Sequence, residues 1–239
     1  MAFFDVIRGF SVVSMVLFHL CYDLRYIYGF NLPFFQPPLQ DIWRASISWT
    51  FLLVAGNMCA FSRNGLMRAL RYLAVALAVF VVTTVVSVDT PISFGIIFCM
   101  GASTLIDHCL CMLGIPPKGC ALSAAFFVLF LLTLGVPQGY VGLGTLKMQL
   151  SPALYSTPYF SWLGLPGPTF VSGDYYPVIP FTLLYLSGAA MGRQFAATGY
   201  PRWFHTVSCK PLEVIGQHAL PIYVLHQPIM VGILSLITM

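Results

Sequence analysis

The sequence contains very few charged residues. Only 8% of its 239 residues are charged, whereas 59% are hydrophobic. A soluble domain carries roughly a quarter charged residues, so this composition excludes an ordinary soluble protein and indicates an integral membrane protein. The apolar stretches are long and the breaks between them short, which favours helices over a membrane β-barrel. The net charge of +4 suits a positive cytoplasmic face and gives no reason to expect a nucleic-acid partner.

Several common catalytic and metal-binding motifs are also missing. The seven cysteines form no CxxC pair, and their apolar surroundings favour buried thiols over a metal or redox site. The sequence has no metal-ligand spacing, phosphate-binding loop or GxSxG nucleophile elbow, so no metal is expected. It also has no convincing internal repeat, which weakens the case for a common secondary-transporter fold.

What is present is a series of apolar stretches. They predict an all-α, polytopic membrane helix bundle with about seven transmembrane helices, forming a single domain over residues 1–239. A stretch rich in glycine, proline and aromatic residues, 137–176, separates the last two helices from the rest. Loops of this length often bind ligands, and a re-entrant segment around residues 150–165 is an alternative. The predicted helices are Phe4–Tyr28, Ile42–Phe61, Tyr72–Val88, Ile92–Leu113, Cys120–Val136, Pro177–Ala197 and Leu212–Ile237.

Lysine and arginine predict the orientation, because cytoplasmic loops carry an excess of both. With the N-terminus inside, eight basic residues lie on the cytoplasmic side and three lie outside. The prediction is therefore N-in/C-out, in an inner or plasma membrane crossed several times, with membrane lipid as a partner. The inner residues are Arg8, Arg63, Arg68, Arg71, Lys118, Arg193, Arg202 and Lys210; the outer ones are Arg25, Arg44 and Lys147.

The first predicted helix carries four ionisable residues along one face: Asp5, Arg8, His19 and Asp23. Ionisable groups at bilayer depth are costly, and they mark a functional site by default. His19 is the best general base in the chain, because an imidazole exchanges protons near neutral pH. Asp23, one turn further on, would orient the ring and stabilise the imidazolium. The alternative is a structural polar cluster that joins helices.

The last predicted helix holds a second group of polar residues around His226, interrupted by Pro221 and Pro228. From its distance to the cytoplasmic end, His226 lies at a depth similar to that of His19. We predict that the two histidines line one cavity, with rings no further apart than about 12 Å. A kinked helix whose polar groups are all satisfied is the alternative.

Three further features permit a functional or a structural interpretation. Arg63, Arg68 and Arg71, in a predicted short turn, match the phosphates of an anionic cofactor or serve only as topology determinants. The GxxxG of helix six is expected to be a helix-packing seam. The Asp107-His108 pair is expected to be a solvated helix end.

The opening stretch DVIRGFSVVSMVLFHLCYDL resembles the first helix of the bacterial DUF1624 membrane proteins. These are similar to the catalytic domain of heparan-α-glucosaminide N-acetyltransferase. Arg8, ten residues and then His19 also resembles the R-x10-H signature of the membrane acyltransferase-3 family. Nearly the whole chain resembles the family in order, through FLLVAGNMCAFSR, ISFGIIFCMGAS, DYYPVIPFTLLYLSGAAMGR and GQHALPIYVLHQPIMVGIL.

The resemblance implies a membrane O- or N-acyltransferase. Such an enzyme takes an acetyl or short acyl group from cytoplasmic acetyl-CoA, or another acyl-CoA, and gives it to an extracytoplasmic glycan or lipid-linked sugar. Direct transfer and an acyl-histidine intermediate both remain open, and a homo-oligomer is allowed. On this interpretation the catalytic residues are His19, Asp23 and His226, the cofactor-binding residues are Asp5, Arg8, Arg63 and Arg68, and the acceptor-binding residues are Gln227, Asp174 and Tyr175.

The chain departs from the family at one position. The heparan enzyme's catalytic histidine lies in the loop after helix one, but residues 24–43 of this chain contain no histidine. His19, together with His226, is the replacement that the sequence offers. Two other classes of function remain open: a small-solute or proton-coupled transporter that uses the same His and Asp residues as a relay, and a non-catalytic membrane partner.

Overall fold

The computed structural model of the chain describes residues 2–238 and is mostly helical, at 71%. The chain divides into two compact units: residues up to Phe51 together with those from Tyr200 onward, and Leu52–Gly199. In chain order the described elements are α1 (Ala2–Tyr22), α2 (Leu39–Asn57), α3 (Gly65–Val86), α4 (Ile96–Met112), α5 (Cys120–Thr133), β1 (Tyr140–Leu143), β2 (Leu146–Gln149), α6 (Val178–Thr198), α7 (Lys210–Gln217) and α8 (Ala219–Thr238).

Four helical segments are long and apolar enough to cross a membrane: Ala2–Ile27, Gly65–Val86, Cys120–Gln138 and Ala219–Ile237. The apolar helix α4 is shorter, at 17 residues. The structure therefore confirms a helical membrane protein with four candidate spans among residues 2–238. The count of about seven spans and the N-in/C-out orientation stay predictions.

The third helix begins earlier than its apolar pattern predicted, at Gly65 rather than Tyr72. Asn64 caps it, because its side-chain oxygen accepts a hydrogen bond from the backbone N–H of Met67 at 2.9 Å. The prediction of a basic turn was therefore wrong for Arg68 and Arg71, which both lie within α3.

The predicted helix Leu212–Ile237 is in fact two helices, α7 and α8, with a break at His218. The backbone of His218 leaves the helical region, at φ −104° and ψ 22°. Pro221 falls in the first turn of α8, where a missing N–H breaks no intrahelical bond. Pro228 lies inside α8 and leaves the carbonyl of Val224 without its usual donor.

The long stretch 137–176 is not structureless. Strands β1 and β2 form an antiparallel hairpin there, so the described chain is helical with one small sheet. Two short 3₁₀ helices follow, Pro152–Tyr155 and Pro158–Leu163, where a re-entrant segment was the alternative.

Glycines set the closest helix contacts in both units. In the second unit, a Cβ on Gly188 would collide with the carbonyl of Leu53, and one on Gly192 with the carbonyl of Asn57. This confirms the GxxxG packing seam of α6. In the first unit, a Cβ on Gly9 would collide with the carbonyl of Leu212, so α1 and α7 also meet backbone to backbone.

An aromatic core fixes the first unit around α1. Met15 and Phe18 are buried against Phe35 and Ile47, with Trp43 packed beside them. This core orients α1 and adjoins the polar residues of the candidate site, since the ring of Phe18 lies 5.7 Å from that of His19.

Candidate functional site

The α1 helix ends in a π-helical turn, Asp23–Ile27. The N–H of Tyr28 donates to the carbonyl of Asp23 at 3.0 Å, a bond that spans five residues instead of four. Turns of this kind are rare and occur frequently at functional sites. Asp23, the first residue of the turn, is 0% exposed.

His19 of α1 and His226 of α8 lie side by side in the first unit. Their ring centroids are 4.8 Å apart and the ring planes are inclined by 67°. This distance is well inside the expected limit of about 12 Å, and the prediction that the two histidines line one cavity stays a prediction. Their catalytic roles stay predictions.

Hydrogen bonds fix which nitrogen of each ring is basic. Nδ1 of His19 lies 2.9 Å from the carbonyl of Met15, and Nδ1 of His226 lies 2.6 Å from the carbonyl of Tyr223. A carbonyl only accepts, so each Nδ1 carries the proton, and Nε2 of the neutral ring keeps its lone pair. Nε2 of His226 is buried and has no hydrogen-bond partner among the described residues. The pair is thus prepared to take a proton through Nε2.

Gln227 connects the α8 helix to the π turn. Its side-chain nitrogen donates to Oδ1 of Asp23 at 2.8 Å. The amide oxygen is buried, with no hydrogen-bond partner in the part of the chain that the structure describes. A carbonyl oxygen needs a donor, so a hydroxyl or amine of a bound acceptor would satisfy it. We call these four residues (His19, Asp23, His226 and Gln227) the histidine cluster.

The predicted cofactor residues Asp5 and Arg8 pair with each other one turn apart on α1. Both side chains are partly buried. The pair adjoins the close contact of α1 with α7 at Gly9. Cofactor binding by these two residues stays a prediction.

The second unit contains a basic pocket of about 230 Å³. Its side chains come from the connection between α2 and α3, the start of α3, the second half of α4 and the last third of α6. Two of the predicted cofactor residues, Arg63 and Arg68, line it. We call this the arginine pocket; its lining residues include Arg63, Arg68, Asp107, His108, Cys111 and Arg193.

The three arginines near this pocket differ in their hydrogen bonds and in their exposure. Arg68 donates to the carbonyl of Ala55 at 2.8 Å and lies over the ring of Tyr72, 5.8 Å from its centroid. Arg63 is exposed at the rim. Arg71 is exposed and is not among the residues that line the pocket. The three arginines looked equivalent in the sequence, but they differ in their bonds and in whether they line the pocket.

Asp107 and Arg193 form a two-pronged ion pair in the wall of the pocket. Nη1 of Arg193 lies 2.8 Å from Oδ1 of Asp107, and Nη2 lies 2.6 Å from Oδ2. Asp107 is only 4% exposed, so the expectation of a solvated helix end was wrong. The partner that allows the carboxylate to be buried comes from α6, 86 residues along the chain, and no local pattern reveals it.

Asp174 and Tyr175, the predicted acceptor residues in the second unit, both make structural bonds. Oδ2 of Asp174 accepts from the first N–H of α4, that of Ile96, at 3.1 Å, and so caps that helix. The hydroxyl of Tyr175 donates to the carbonyl of Ser161 at 2.6 Å. Burial raises the pKa of Tyr175, which keeps this donor protonated at neutral pH. Acceptor binding by the two residues stays a prediction.

Within the described residues, no group of three or more His, Cys, Asp or Glu side chains is placed to hold a metal ion. The side chains brought together are imidazoles, which can exchange protons, in the first unit and guanidinium groups, which can bind anions, in the second.

The family model described as "Heparan-alpha-glucosaminide N-acetyltransferase, catalytic" matches residues 1–228. The chain therefore belongs to this family of transmembrane acetyltransferases, as the resemblance implied. The family uses acetyl-CoA as its donor in general, and family membership gives no support to the transporter alternative. Comparisons with curated proteins and with solved structures gave no match.

Proposed function

We propose that this chain transfers an acetyl group from acetyl-CoA on the cytoplasmic side to a glycan-type acceptor, free or lipid-linked, on the other side. The observation that carries the proposal is the contact of His19 with His226, in which the hydrogen bonds of both Nδ1 atoms leave Nε2 as the basic nitrogen. Membership of an acetyltransferase family supplies the reaction class.

In the proposed reaction, Nε2 of His19 takes the proton from the acceptor hydroxyl or amine. The acceptor atom attacks the thioester carbonyl carbon; the new C–O or C–N bond forms and the C–S bond breaks. The CoA thiolate leaves and receives the proton back from the imidazolium, so the ring is regenerated. Asp23 stabilises the imidazolium. His226, whose ring centroid lies 4.8 Å from that of His19, provides a second imidazole that can accept the proton.

The donor's phosphates are assigned to the arginine pocket. Arg63 and Arg68 supply guanidinium groups, which match phosphate oxygens in geometry and charge. The only lining carboxylate among the described residues, Asp107, is already neutralised by Arg193, so the remaining arginines give the pocket a positive balance. Asp5 and Arg8 are retained as further candidates for donor binding.

The proposal includes the finer topology. The chain is a single transmembrane domain of about seven spans, N-in/C-out, in an inner or plasma membrane. The N-in orientation gives Arg63, Arg68 and Arg193 a cytoplasmic location, where acetyl-CoA is made available. Membrane lipid surrounds the spans, and self-association into a homo-oligomer is compatible with this arrangement.

Thermal unfolding in detergent tests the donor. A ligand that binds only the folded state stabilises it by about 2.7 kcal/mol at a concentration one hundred times its Kd. We expect millimolar acetyl-CoA to raise the unfolding temperature, while acetate at equal concentration leaves it unchanged. If acetyl-CoA gives no shift and liposomes containing the protein take up a small solute, the acetyltransferase proposal fails.

A further inference from the structure

The β1–β2 hairpin has one apolar face and one polar face. Its register pairs Val141 with Met148 and Leu143 with Leu146. Directly opposed residues point to the same side of an antiparallel pair, and alternate residues share that side. All four apolar side chains therefore lie on one face.

Three of these four side chains are exposed and Val141 is half-buried. Leu146 is 85% exposed, Met148 66% and Leu143 48%. The opposite face carries Lys147, whose Nζ lies 4.3 Å from the ring centroid of Tyr140. A two-stranded hairpin is marginal by itself in water and needs a partner for its hydrophobic face, so this element requires an apolar surface to rest on.

The hairpin is attached directly to the end of a membrane span. The candidate span Cys120–Gln138 ends two residues before Tyr140. The N–H of Tyr140 donates to the carbonyl of Gly135 at 3.1 Å, and the ring of Tyr140 lies so close to Gly135 that a Cβ there would collide with it. The strands are therefore held beside the end of this candidate span.

We propose that this hairpin binds the membrane surface, with Val141, Leu143, Leu146 and Met148 inserted into the lipid beside the end of the span. The outer edges of a two-stranded sheet carry unpaired backbone groups, which are not tolerated in the hydrocarbon region. The hairpin consequently lies at the water–lipid boundary rather than deeper. Lys147, on the opposite face, extends its ammonium group away from the hydrocarbon, towards the headgroup phosphates and water.

Continuity and charge favour lipid over a second copy of the chain as the occupant. The apolar face starts where the lipid-embedded helix ends, so lipid is already its neighbour. Residues 140–149 contain one lysine and no carboxylate, so no negative charge opposes their contact with the phosphates of phospholipid headgroups. The two-residue turn Gly144–Thr145, with Gly144 at φ 56°, fixes the register that keeps the four apolar side chains on one face.

The test uses the full chain in vesicles that contain a phospholipid with a photoactivatable diazirine on its acyl chain. After irradiation, mass spectrometry reads the labelled positions in residues 140–149. We expect Leu143, Leu146 and Met148 to be labelled several-fold more than Gly142, Lys147 and Gln149, giving an alternation of period two. Labelling that does not alternate, or that is absent from the hairpin, overturns the proposal.

Two variants make the result specific. Met148→Gln removes one apolar side chain from the proposed lipid face and should lower labelling of the hairpin several-fold, whereas Gln149→Leu, on the opposite face, should not lower it. Diluting the protein in excess lipid separates the occupants: label that is independent of dilution supports lipid. A second copy covers the face if the concentrated protein shows crosslinks between chains and the lipid label appears only after dilution. That result contradicts the proposal.

Discussion

The histidine cluster and the arginine pocket differ in the side chains that form them. The cluster joins two imidazoles, a carboxylate and an amide at a π turn within apolar helices, and two of its buried acceptor atoms have no partner in the described structure. The pocket joins guanidinium groups around a carboxylate that is already neutralised. The difference indicates that the cluster is suited to exchanging protons with a ligand and the pocket to holding an anion.

Two buried aspartates show the same difference on a smaller scale. Asp107 meets a guanidinium through two short bonds, an arrangement that neutralises its charge and fixes its position. Asp23 receives a bond from the neutral amide of Gln227. Asp107 is therefore assigned to stability, and under the proposed function Asp23, which an amide orients, supports an imidazolium.

The largest effect is expected from His19→Ala. Loss of a general base lowers the rate by roughly 10²–10⁴-fold. The measurement is acetyl-CoA-dependent release of CoA thiol in the presence of a cell-envelope oligosaccharide fraction. The acetyl-CoA-induced rise in unfolding temperature should remain, because the variant leaves the arginine pocket intact. Wild-type turnover by this variant would remove His19 from the mechanism.

Arg193→Met tests whether the pocket's ion pair is structural. It leaves the Asp107 carboxylate buried without its cation, which typically costs about 3–5 kcal/mol of folding free energy. We expect a correspondingly large fall in the denaturant midpoint in mixed micelles. The double variant Arg193→Met/Asp107→Leu should recover most of the loss, since it leaves no unpaired charge. A single variant as stable as the wild type would contradict this assignment.

Arg63→Gln and Arg71→Gln form a matched pair, because both arginines are exposed but only Arg63 lines the pocket. A charged hydrogen bond contributes about 1.5–3 kcal/mol. We therefore expect Arg63→Gln to weaken acetyl-CoA binding about tenfold, whereas Arg71→Gln leaves the Kd unchanged. Calorimetric titration with acetyl-CoA measures both. If both variants weaken binding equally, acetyl-CoA responds to the overall positive charge of the protein and does not bind in the arginine pocket.

The smallest effect is expected from Gln227→Leu, which removes the amide donor to Asp23. An unsatisfied buried acceptor costs about 1–3 kcal/mol, and misplacement of Asp23 should also slow transfer. Gln217→Leu, at the exposed end of α7, is the control and should change stability by no more than about 0.5 kcal/mol. If both variants behave alike in denaturant titration, the bond between Gln227 and Asp23 has no role in the cluster.

Local patterns predicted the histidine cluster better than the pocket. The spacing of His19 and Asp23 is a property of one helix, and the depth of His226 follows from counting residues along another, so their proximity could be predicted. The pairing of Asp107 with Arg193 joins positions 86 residues apart, and single-sequence periodicity carries no information about such contacts. The bond that Asp174 accepts from Ile96 joins positions 78 residues apart, and it could not be predicted for the same reason.

Other features carried signals that the apolar pattern obscured. Asn64 before Gly65 is a helix-capping residue, and it marked the true start of α3 ahead of Arg68. Gly144–Thr145, between two short runs of alternating residues, is a signal for a two-residue hairpin turn. Both signals are local, but the elements were predicted from the bounds of their apolar stretches, which do not include capping or turn residues.

The central claim is that acetyl groups pass from acetyl-CoA on one side of the membrane to an acceptor on the other. Proteoliposomes with a cell-envelope oligosaccharide fraction trapped inside and acetyl-labelled acetyl-CoA outside measure this directly. We predict labelled oligosaccharide in the lumen and free CoA outside with the wild type, and neither with His19→Ala. Label that stays outside, or intact acetyl-CoA found in the lumen, would contradict the account.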